Sequence, residues 1–358
     1  MRVVTVVGNR PQFVKAAAVS RPLREHHEEL LVHTGQHYDD DMSQVFFDEL
    51  PVPEPDRWLG IGSGPAAVQT GRMIAELEPV LADAAPELVL VYGDTNSTLA
   101  GAVASAQARV PVAHVEAGMR SFDRSMPEEL NRVLTDHASD LLLCSTQTAV
   151  DNLAAEGITR GVHLVGDAMA DVALATARVA RERGDVLDGF GVEPGGYLLA
   201  TAHRVGNVDE PERLSALVEV LLALPGPVVF PVHPRTRARL DGAGMTARLE
   251  AADGVILSPP LGYVELLALA IGARAIVTDS GGLQKEAYLV EVPCVTLRDT
   301  TEWVETVESG WNVLVDLDAE AAVAALDRPR PAAHPDLYGG GLAGERIRDA
   351  IGAFRPAR

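Results

Sequence analysis

Lysine is almost missing from this 358-residue chain, with only Lys15 and Lys285 among its 30 basic residues. Basic residues are scarce altogether, because 51 Asp and Glu leave a formal net charge of −21. That deficit argues against a nucleic-acid binder, whose footprint is a basic face or stripe. It also means that an anionic ligand must be held by a local cluster of cations and backbone amides, against a repelling global field. Cysteine is as scarce as lysine. Cys144 and Cys294 cannot make a disulfide framework, and both sit inside apolar runs as small hydrophobes. No stretch approaches the ~20 apolar residues that span a bilayer. The opening MRVVTVVGNRPQ reads as a first strand rather than a signal peptide, since its apolar run is short and Pro11 and Lys15 follow at once. A cytoplasmic protein is the expectation. Two fingerprints are also missing. No G-x-G-x-x-G follows any apolar run and no G-x-x-x-x-G-K-[ST] occurs, so NAD and ATP lose their usual signatures. The candidate carboxylates show no metal-ligand spacing.

What is present is an ordered globule, 47% hydrophobic and 23% charged, long enough for roughly two domains. Short apolar runs alternate with helix-compatible stretches throughout. The first half offers Val3–Val7, Leu30–His33, Leu88–Tyr92, Val112–Val115, Leu141–Cys144 and Val162–Val165. The second half offers Tyr197–Thr201, Val228–Val232, Val255–Leu257, Ala275–Thr278, Cys294–Leu297 and Asn312–Val315. None of these runs alternates polar with apolar, as expected of parallel strands covered on both faces. Amphipathic patterns such as Ala66–Ala84, Asn96–Ala108, Pro127–Ala138 and Pro211–Leu224 lie between them. The fold class is therefore α/β, with two doubly wound, Rossmann-like parallel sheets rather than one barrel. The strand-free, Gly-containing segment from Asp167 to Gly196 is the expected boundary region. It gives domains at 1–168 and 169–336, and a tail at 337–358 that ends in a helix crossing back to the first domain.

Ligands of doubly wound sheets bind beyond the carboxyl ends of the strands. Those ends carry Gly8-Asn9-Arg10-Pro11-Gln12 with Lys15, Gly93-Asp94-Thr95, and Glu116-Ala117-Gly118 in the first half. In the second half they carry His203-Arg204, His233-Pro234-Arg235, Asp279-Ser280-Gly281-Gly282 and Arg298-Asp299. Ser280-Gly281-Gly282 is the clearest phosphate site: it follows an apolar strand and opens a helix, so free amides and the positive helix end face one point. A plain tight turn is the competing reading. Glu286, one turn on, is placed to accept hydrogen bonds from ribose hydroxyls, or is an ordinary helix residue. Asp94, Glu116 and Glu128 are three carboxylates suited to acid–base work on a sugar. Taken singly, Asp94 reads equally as a helix cap, and Glu128, beside Pro127, as helix-start electrostatics. His203 and His233 are each as easily structural.

The strings GNRPQFVKAAAV, TGQHYDDDM, VYGDTNSTLAGAVAS, PVAHVEAGMRSFDRSMPEELNRVLTDHASDLLL, TAHRVGN, FPVHP, TDSGGLQKEAYLVEVPCVTLRDTTEWVETVESGWNVLV and YGGGLAGERI run in order through most of the chain. Together they resemble the non-hydrolysing UDP-N-acetylglucosamine 2-epimerases. The resemblance implies the two-domain GT-B fold, with the active site in the cleft between the domains. It implies that Arg10, Lys15 and His203 face the phosphates, that Ser280, Gly281 and Gly282 wrap the diphosphate, and that Glu286 holds the ribose. Asp94, Glu116 and Glu128 are the implied carboxylates around the sugar, with His203 counted among the catalytic groups. His233, Arg132 and Arg298 are further candidate substrate contacts. The family's reaction needs no cofactor. UDP is eliminated across C1–C2 to give 2-acetamidoglucal, then re-added with protonation from the opposite face, converting UDP-GlcNAc to UDP-ManNAc. Domain closure about Asp167–Gly196 would retain the glucal. A homodimer is the expected assembly, with no nucleic-acid or membrane partner.

The chain departs from the family's pattern at several places. Asn9 and Gln12 replace Thr and Glu of the opening string, Lys285 replaces the first Glu of Gln-Glu-Glu, and Gly340 replaces an Asp of the tail motif. Gln36-His37 is followed by Tyr38-Asp39-Asp40-Asp41, which adds negative charge where the family's allosteric UDP-GlcNAc would lie, so weak or absent activation by substrate is expected. The rival functions are a hydrolysing epimerase releasing free ManNAc, a GT-B glycosyltransferase and a non-catalytic nucleotide-sugar sensor.

Overall fold

The computed structural model describes residues 1–36 and 53–355, the side chain of Arg10 excepted. It divides into two compact units, Met1–Val172 with Asp336–Arg358, and Ala173–Pro335. The chain passes from one to the other inside the helix Ala168–Ala180.

In the first unit, strands β1 (Arg2–Val7), β2 (Glu28–His33), β3 (Arg57–Trp58), β4 (Leu88–Tyr92), β5 (Val112–Ala117), β6 (Leu141–Cys144) and β7 (Val162–Leu164) form a parallel sheet in the order β3-β2-β1-β4-β5-β6-β7. Val3, Val7, Leu88 and Leu90 pack on one face, with Val19 and Leu23 of the helix Arg10–Arg24 and with Ile347 and Ile351 of the tail helix Ala343–Ala353. Val4, Val6, Val89 and Val91 pack on the other, against Met73, Leu77 and Leu81 of the helix Ala66–Ala84. Both faces are buried, which is why these strands read as unbroken apolar runs. Ile347 and Ile351 are fully buried, worth about 1.5–3 kcal/mol each, so the tail is a core element of the first unit. Gly344 permits that packing, because a Cβ there would collide with the Ala18 carbonyl.

In the second unit, β8 (Leu198–Thr201), β9 (Val228–Pro231), β10 (Val255–Ser258), β11 (Ala275–Thr278), β12 (Cys294–Thr296) and β13 (Asn312–Leu314) are ordered β10-β9-β8-β11-β12-β13, again all parallel. The strand order reverses between β1 and β4 and between β8 and β11. These are the switch points at which doubly wound sheets bind ligands.

Two elements differ from the sequence reading. β3 is a two-residue strand of exposed side chains, so it has no apolar run to announce it. The helix Pro127–Ala138 is amphipathic with the opposite sense: Glu129, Asn131, Thr135 and Asp136 are buried while Leu130 and Leu134 are exposed. Its inward face serves polar groups at the strand ends. Among the described residues, no helix is long and apolar enough to cross a membrane.

Candidate functional site

The first unit's site starts at the loop after β1. Asn9 caps the helix Arg10–Arg24, its side chain accepting from the Gln12 amide at 3.2 Å, and Pro11 occupies the first turn. Gln12 is buried; it accepts from the Gly8 amide at 2.7 Å and donates to the Tyr92 carbonyl at 2.6 Å and the Thr98 hydroxyl at 2.8 Å. This residue type therefore ties the loop after β1 to the loop after β4. Arg10 opens the helix; its side chain lies outside the described residues.

Lys15, one turn further, forms an ion pair with Glu116. Burial pulls the Lys15 pKa down, but the Glu116 carboxylate, helped by Asp94 and Asp167, outweighs it and leaves the value raised, so Lys15 is a fixed ammonium. Glu116 stands at φ +72° where the β5–β6 register shifts between Val115 and Ala117. A bulge re-aims a side chain, and a non-glycine residue held in the left-handed region costs on the order of 1–3 kcal/mol; such strain clusters at functional sites.

Asp94 follows Gly93, which turns at φ +63° beneath the Lys15–Glu116 pair: a Cβ on Gly93 would lie 3.3 Å from both Glu116 Oε2 and Lys15 Nζ. Arg132 donates to Asp94 Oδ2 at 2.6 Å and to Glu129 Oε2 at 3.1 Å, and Asn131 donates to the Asp94 carbonyl at 2.9 Å. Glu129 is the buried glutamate of the pair at the start of this helix. Burial alone would raise its pKa, yet the amide and hydroxyl of Ser121, Arg132 and the Phe122 amide hold it below the usual range. Glu128, its neighbour, is exposed in the first turn. A buried, fully engaged carboxylate positions other groups, whereas an exposed one remains available to a substrate.

In the second unit, His203 follows β8 and lies with His233, their ring centroids 5.4 Å apart. Burial lowers the His233 pKa, and His203 and Arg235 lower it further. Asp279, fully buried after β11, accepts from the backbone amides of His203 (3.0 Å) and Arg204 (2.9 Å) and from Asn207 (3.2 Å). It fixes the turn that carries His203. Ser280 caps the helix Gly281–Leu289, its hydroxyl accepting from the Leu283 amide at 3.4 Å. Glu302 lies over the start of that helix, with Oε2 3.4 Å from where a Cβ on Gly281 would be. Arg298 grips Glu302 through two bonds of 2.8 and 3.0 Å, and Arg204 adds a third at 3.3 Å. Burial would push the Glu302 pKa up, but Arg298 and Arg204 bring it down to about 2. The Tyr263 hydroxyl donates to Glu286 Oε1 at 2.8 Å. The Lys285 ammonium sits 4.3 Å over the Trp303 ring.

These arrangements supply carboxylates and a lysine in one unit, and a glycine-opened helix start flanked by a histidine and arginines in the other. The family model described as UDP-N-acetylglucosamine 2-epimerase matches residues 21–352. The chain belongs to this family. A UDP-N-acetylglucosamine 2-epimerase homolog of Methanococcus maripaludis is 48% identical over 94% of this chain and 95% of its own length. The UDP-2,3-diacetamido-2,3-dideoxy-D-glucuronate 2-epimerase of Pseudomonas aeruginosa is 45% identical over 98% and 99%. Among solved structures, the UDP-GlcNAc 2-epimerase of Methanocaldococcus jannaschii, in complex with UDP-GlcNAc and UDP, is 40% identical with a TM-score of 0.82, covering 98% of this chain and 99% of that one.

Within this 2-epimerase, Lys15, Asp94, Glu116 and Arg132 come together at the strand ends of the first unit, with Glu128 on the adjoining helix. His203, His233, Ser280, Gly281, Gly282, Glu286 and Arg298 belong to the second unit, at the ends of β8, β9, β11 and β12. Gly340 turns at φ +62° next to the Asp336 carboxylate, which caps the Gly339 amide at 2.7 Å. Of the allosteric string, His37 to Asp41 lie outside the described residues. Gln36 is buried, and its side-chain oxygen accepts from the Ser97 hydroxyl at 2.6 Å. Among the described residues no group of three His, Cys, Asp or Glu side chains is placed to hold a metal. Sequence reasoning named Gln12 and Asp279 only within their strand-end strings and passed over Glu129; all three hold other residues in place.

Proposed function

We propose that this chain interconverts UDP-GlcNAc and UDP-ManNAc by inverting C2 without a redox cofactor, retaining the glucal rather than hydrolysing it. The observation that carries the reading is the set of carboxylates at the strand ends of the first unit, Asp94 and the strained Glu116 with Lys15 beside them and Glu128 open on the adjoining helix. A carboxylate removes the C2 proton, the C–H electron pair becomes the C1=C2 bond, and the C1–O pair leaves with UDP. Reversal returns UDP to C1 and a proton to the other face of C2. Asp94 and Glu128 handle the protons, with Glu116 sharing the role. The second unit stabilises the departing diphosphate with the amides of Gly281 and Gly282, the Ser280 hydroxyl and His203, while Glu286 takes the ribose. Three further proposals rest on the sequence: a cytoplasmic location, from its opening strand; a second copy of the chain as partner, from the resemblance; and weak or absent activation by UDP-GlcNAc, from the departure at Tyr38 to Asp41.

A second reading concerns the sugar. The 45% identity to a 2-epimerase of a diacetamido uronate favours the same reaction on a substrate bearing a 3-acetamido group and a C6 carboxylate.

The test is a proton NMR time course in deuterated water with each nucleotide sugar as sole substrate. Deuterium at C2 with accumulation of UDP-ManNAc, and no free sugar, is the expected result for UDP-GlcNAc. Free ManNAc with UDP would move the assignment to the hydrolysing reaction, exchange confined to the uronate would move it to the second reading, and no exchange would end both. Asp94→Asn, Glu128→Gln and His203→Asn should each lower turnover by about 10²–10⁴-fold. Near-normal turnover removes that residue from the set.

A further inference from the structure

Beneath the carboxylates of the first unit lies an ionic cluster that the proposed reaction does not use. The side chains of His114 and Asp136 are completely buried and that of Arg120 is 1% exposed. His114 Nε2 is 2.7 Å from the Gly93 carbonyl oxygen, and Nδ1 is 2.7 Å from Asp136 Oδ1. A carbonyl oxygen can only accept, so Nε2 carries a hydrogen. Asp136 accepts through Oδ2 from the Gly118 amide at 3.1 Å and from Arg120 Nη1 at 2.7 Å. With the Gly118 amide and the Arg120 guanidinium both donating to it, Asp136 is an anion that can only accept, so Nδ1 carries a hydrogen as well.

We infer that His114 is a positioning residue, an imidazolium clamped between Asp136 and the Gly93 carbonyl that fixes the turn from which Asp94 projects. Three observations make this a functional placement rather than generic core chemistry. Gly93 is held on both sides, its amide donating to the Val115 carbonyl at 3.0 Å while its carbonyl accepts from His114. Gly93 underlies the Lys15–Glu116 pair, so a rotation of the Gly93–Asp94 peptide moves the floor of the site. The clamp also closes electrically: Arg120 pairs with Glu156 through bonds of 2.7 and 2.8 Å, so two cations, His114 and Arg120, balance two anions, Asp136 and Glu156. A neutral His114 would leave one buried negative charge under Asp94 and Glu116, adding like-charge repulsion where the reaction needs poised carboxylates.

The inference rests on the proposed epimerisation only for its kinetic arm. The first measurement is a nitrogen-15 spectrum of the histidine rings of the full-length protein at neutral pH, with His114 assigned by His114→Gln. Two protonated ring nitrogens with slowly exchanging N–H groups are expected, and one unprotonated nitrogen overturns the clamp. The second is steady-state kinetics of His114→Gln and Asp136→Asn, with folding checked by circular dichroism. A loss of about 100-fold in kcat is expected, with KM for the nucleotide sugar held within about twofold. A folded variant whose kcat stays within about twofold of the parent, or whose KM rises as steeply as kcat falls, refutes a positioning role. If His114→Gln does not fold, the kinetics of Asp136→Asn decide. A parent protein without turnover counts against the proposed reaction, and the ring spectrum then judges the clamp alone.

Discussion

Replacing Glu286 by glutamine isolates the penalty of keeping a carboxylate in its half-buried place. Burial pushes the Glu286 pKa from its ordinary 4.5 up to about 7, against the pull of the Tyr263 hydroxyl and of Lys285. As pH rises, the folded chain therefore keeps this proton longer than the unfolded chain does. Stability falls between 4.5 and about 7 and is at its lowest above that window. At about 1.4 kcal/mol per pH unit, the span from 4.5 to about 7 sets a ceiling of about 3 kcal/mol on the loss. Glutamine has the same shape and its amide oxygen still accepts from Tyr263, whose hydroxyl lies 2.8 Å away. Glu286→Gln should thus match the parent near pH ~5 and exceed it by up to about 3 kcal/mol near pH ~8. Urea unfolding followed by tryptophan fluorescence reads the difference, since Trp303 and Trp311 lie in the same unit as Glu286. UDP binding should weaken at the same time, because an amide accepts ribose hydroxyls less strongly than a carboxylate does. A gain of equal size at both pH values, or none near pH ~8, would refute the reasoning.

The remaining expectations are simpler. Asp171 accepts from the Ala343 and Gly344 amides at 3.0 and 2.8 Å and so caps the tail helix; Asp171→Ala should cost ~1 kcal/mol, read as a lower Tm and faster proteolysis of the tail. Asp279→Ala leaves the His203 and Arg204 amides without their acceptor and should weaken UDP binding about tenfold by calorimetry, an unmet buried donor costing ~1–3 kcal/mol. Burial raises the thiols of Cys144 and Cys294 to about 12. Neither should react with a thiol reagent in the native protein, and both should react in denaturant; rapid labelling of one without denaturant would contradict their burial.

The strands were legible because both faces of each sheet are covered, so Leu88–Tyr92 and Ala275–Thr278 run as the unbroken apolar stretches the sequence displays. The candidate residues were legible because they sit where those runs stop. What stayed hidden was orientation. Glu128 and Glu129 are chemically identical neighbours, and only the inverted burial of their helix separates the exposed one from the one that grips Arg132. That inversion did leave a trace: Glu129, Arg132 and Asp136 recur at helical spacing on one face, with Leu130 and Leu134 on the other. The left-handed Glu116 has no trace at all, since nothing in His-Val-Glu-Ala-Gly announces a bulge. The partners of His114 lie 21 and 22 residues away in sequence and those of Asp279 lie 72 to 76 away, beyond any local pattern.

The acid excess takes on a different meaning once the local cations are seen to be engaged. Lys15 is paired with Glu116, Arg132 with Asp94 and Glu129, and Arg298 and Arg204 with Glu302. Among the described residues the cations at these strand ends are therefore committed, and in the proposed reading the neutral donors at the Ser280–Gly282 helix start do much of the holding of the diphosphate. The far field, with a net charge of −21, still repels the ligand before contact. Salt should then act in the unusual direction. Raising ionic strength from about 0.01 to about 0.15 M shortens the Debye length from ~30 to ~8 Å, which removes long-range repulsion while sparing contacts at hydrogen-bond range. The association rate of UDP, followed by stopped-flow fluorescence, should rise over that interval rather than fall. A rate that falls steadily with salt would mean that the arginines at the strand ends leave their carboxylates and steer the ligand themselves.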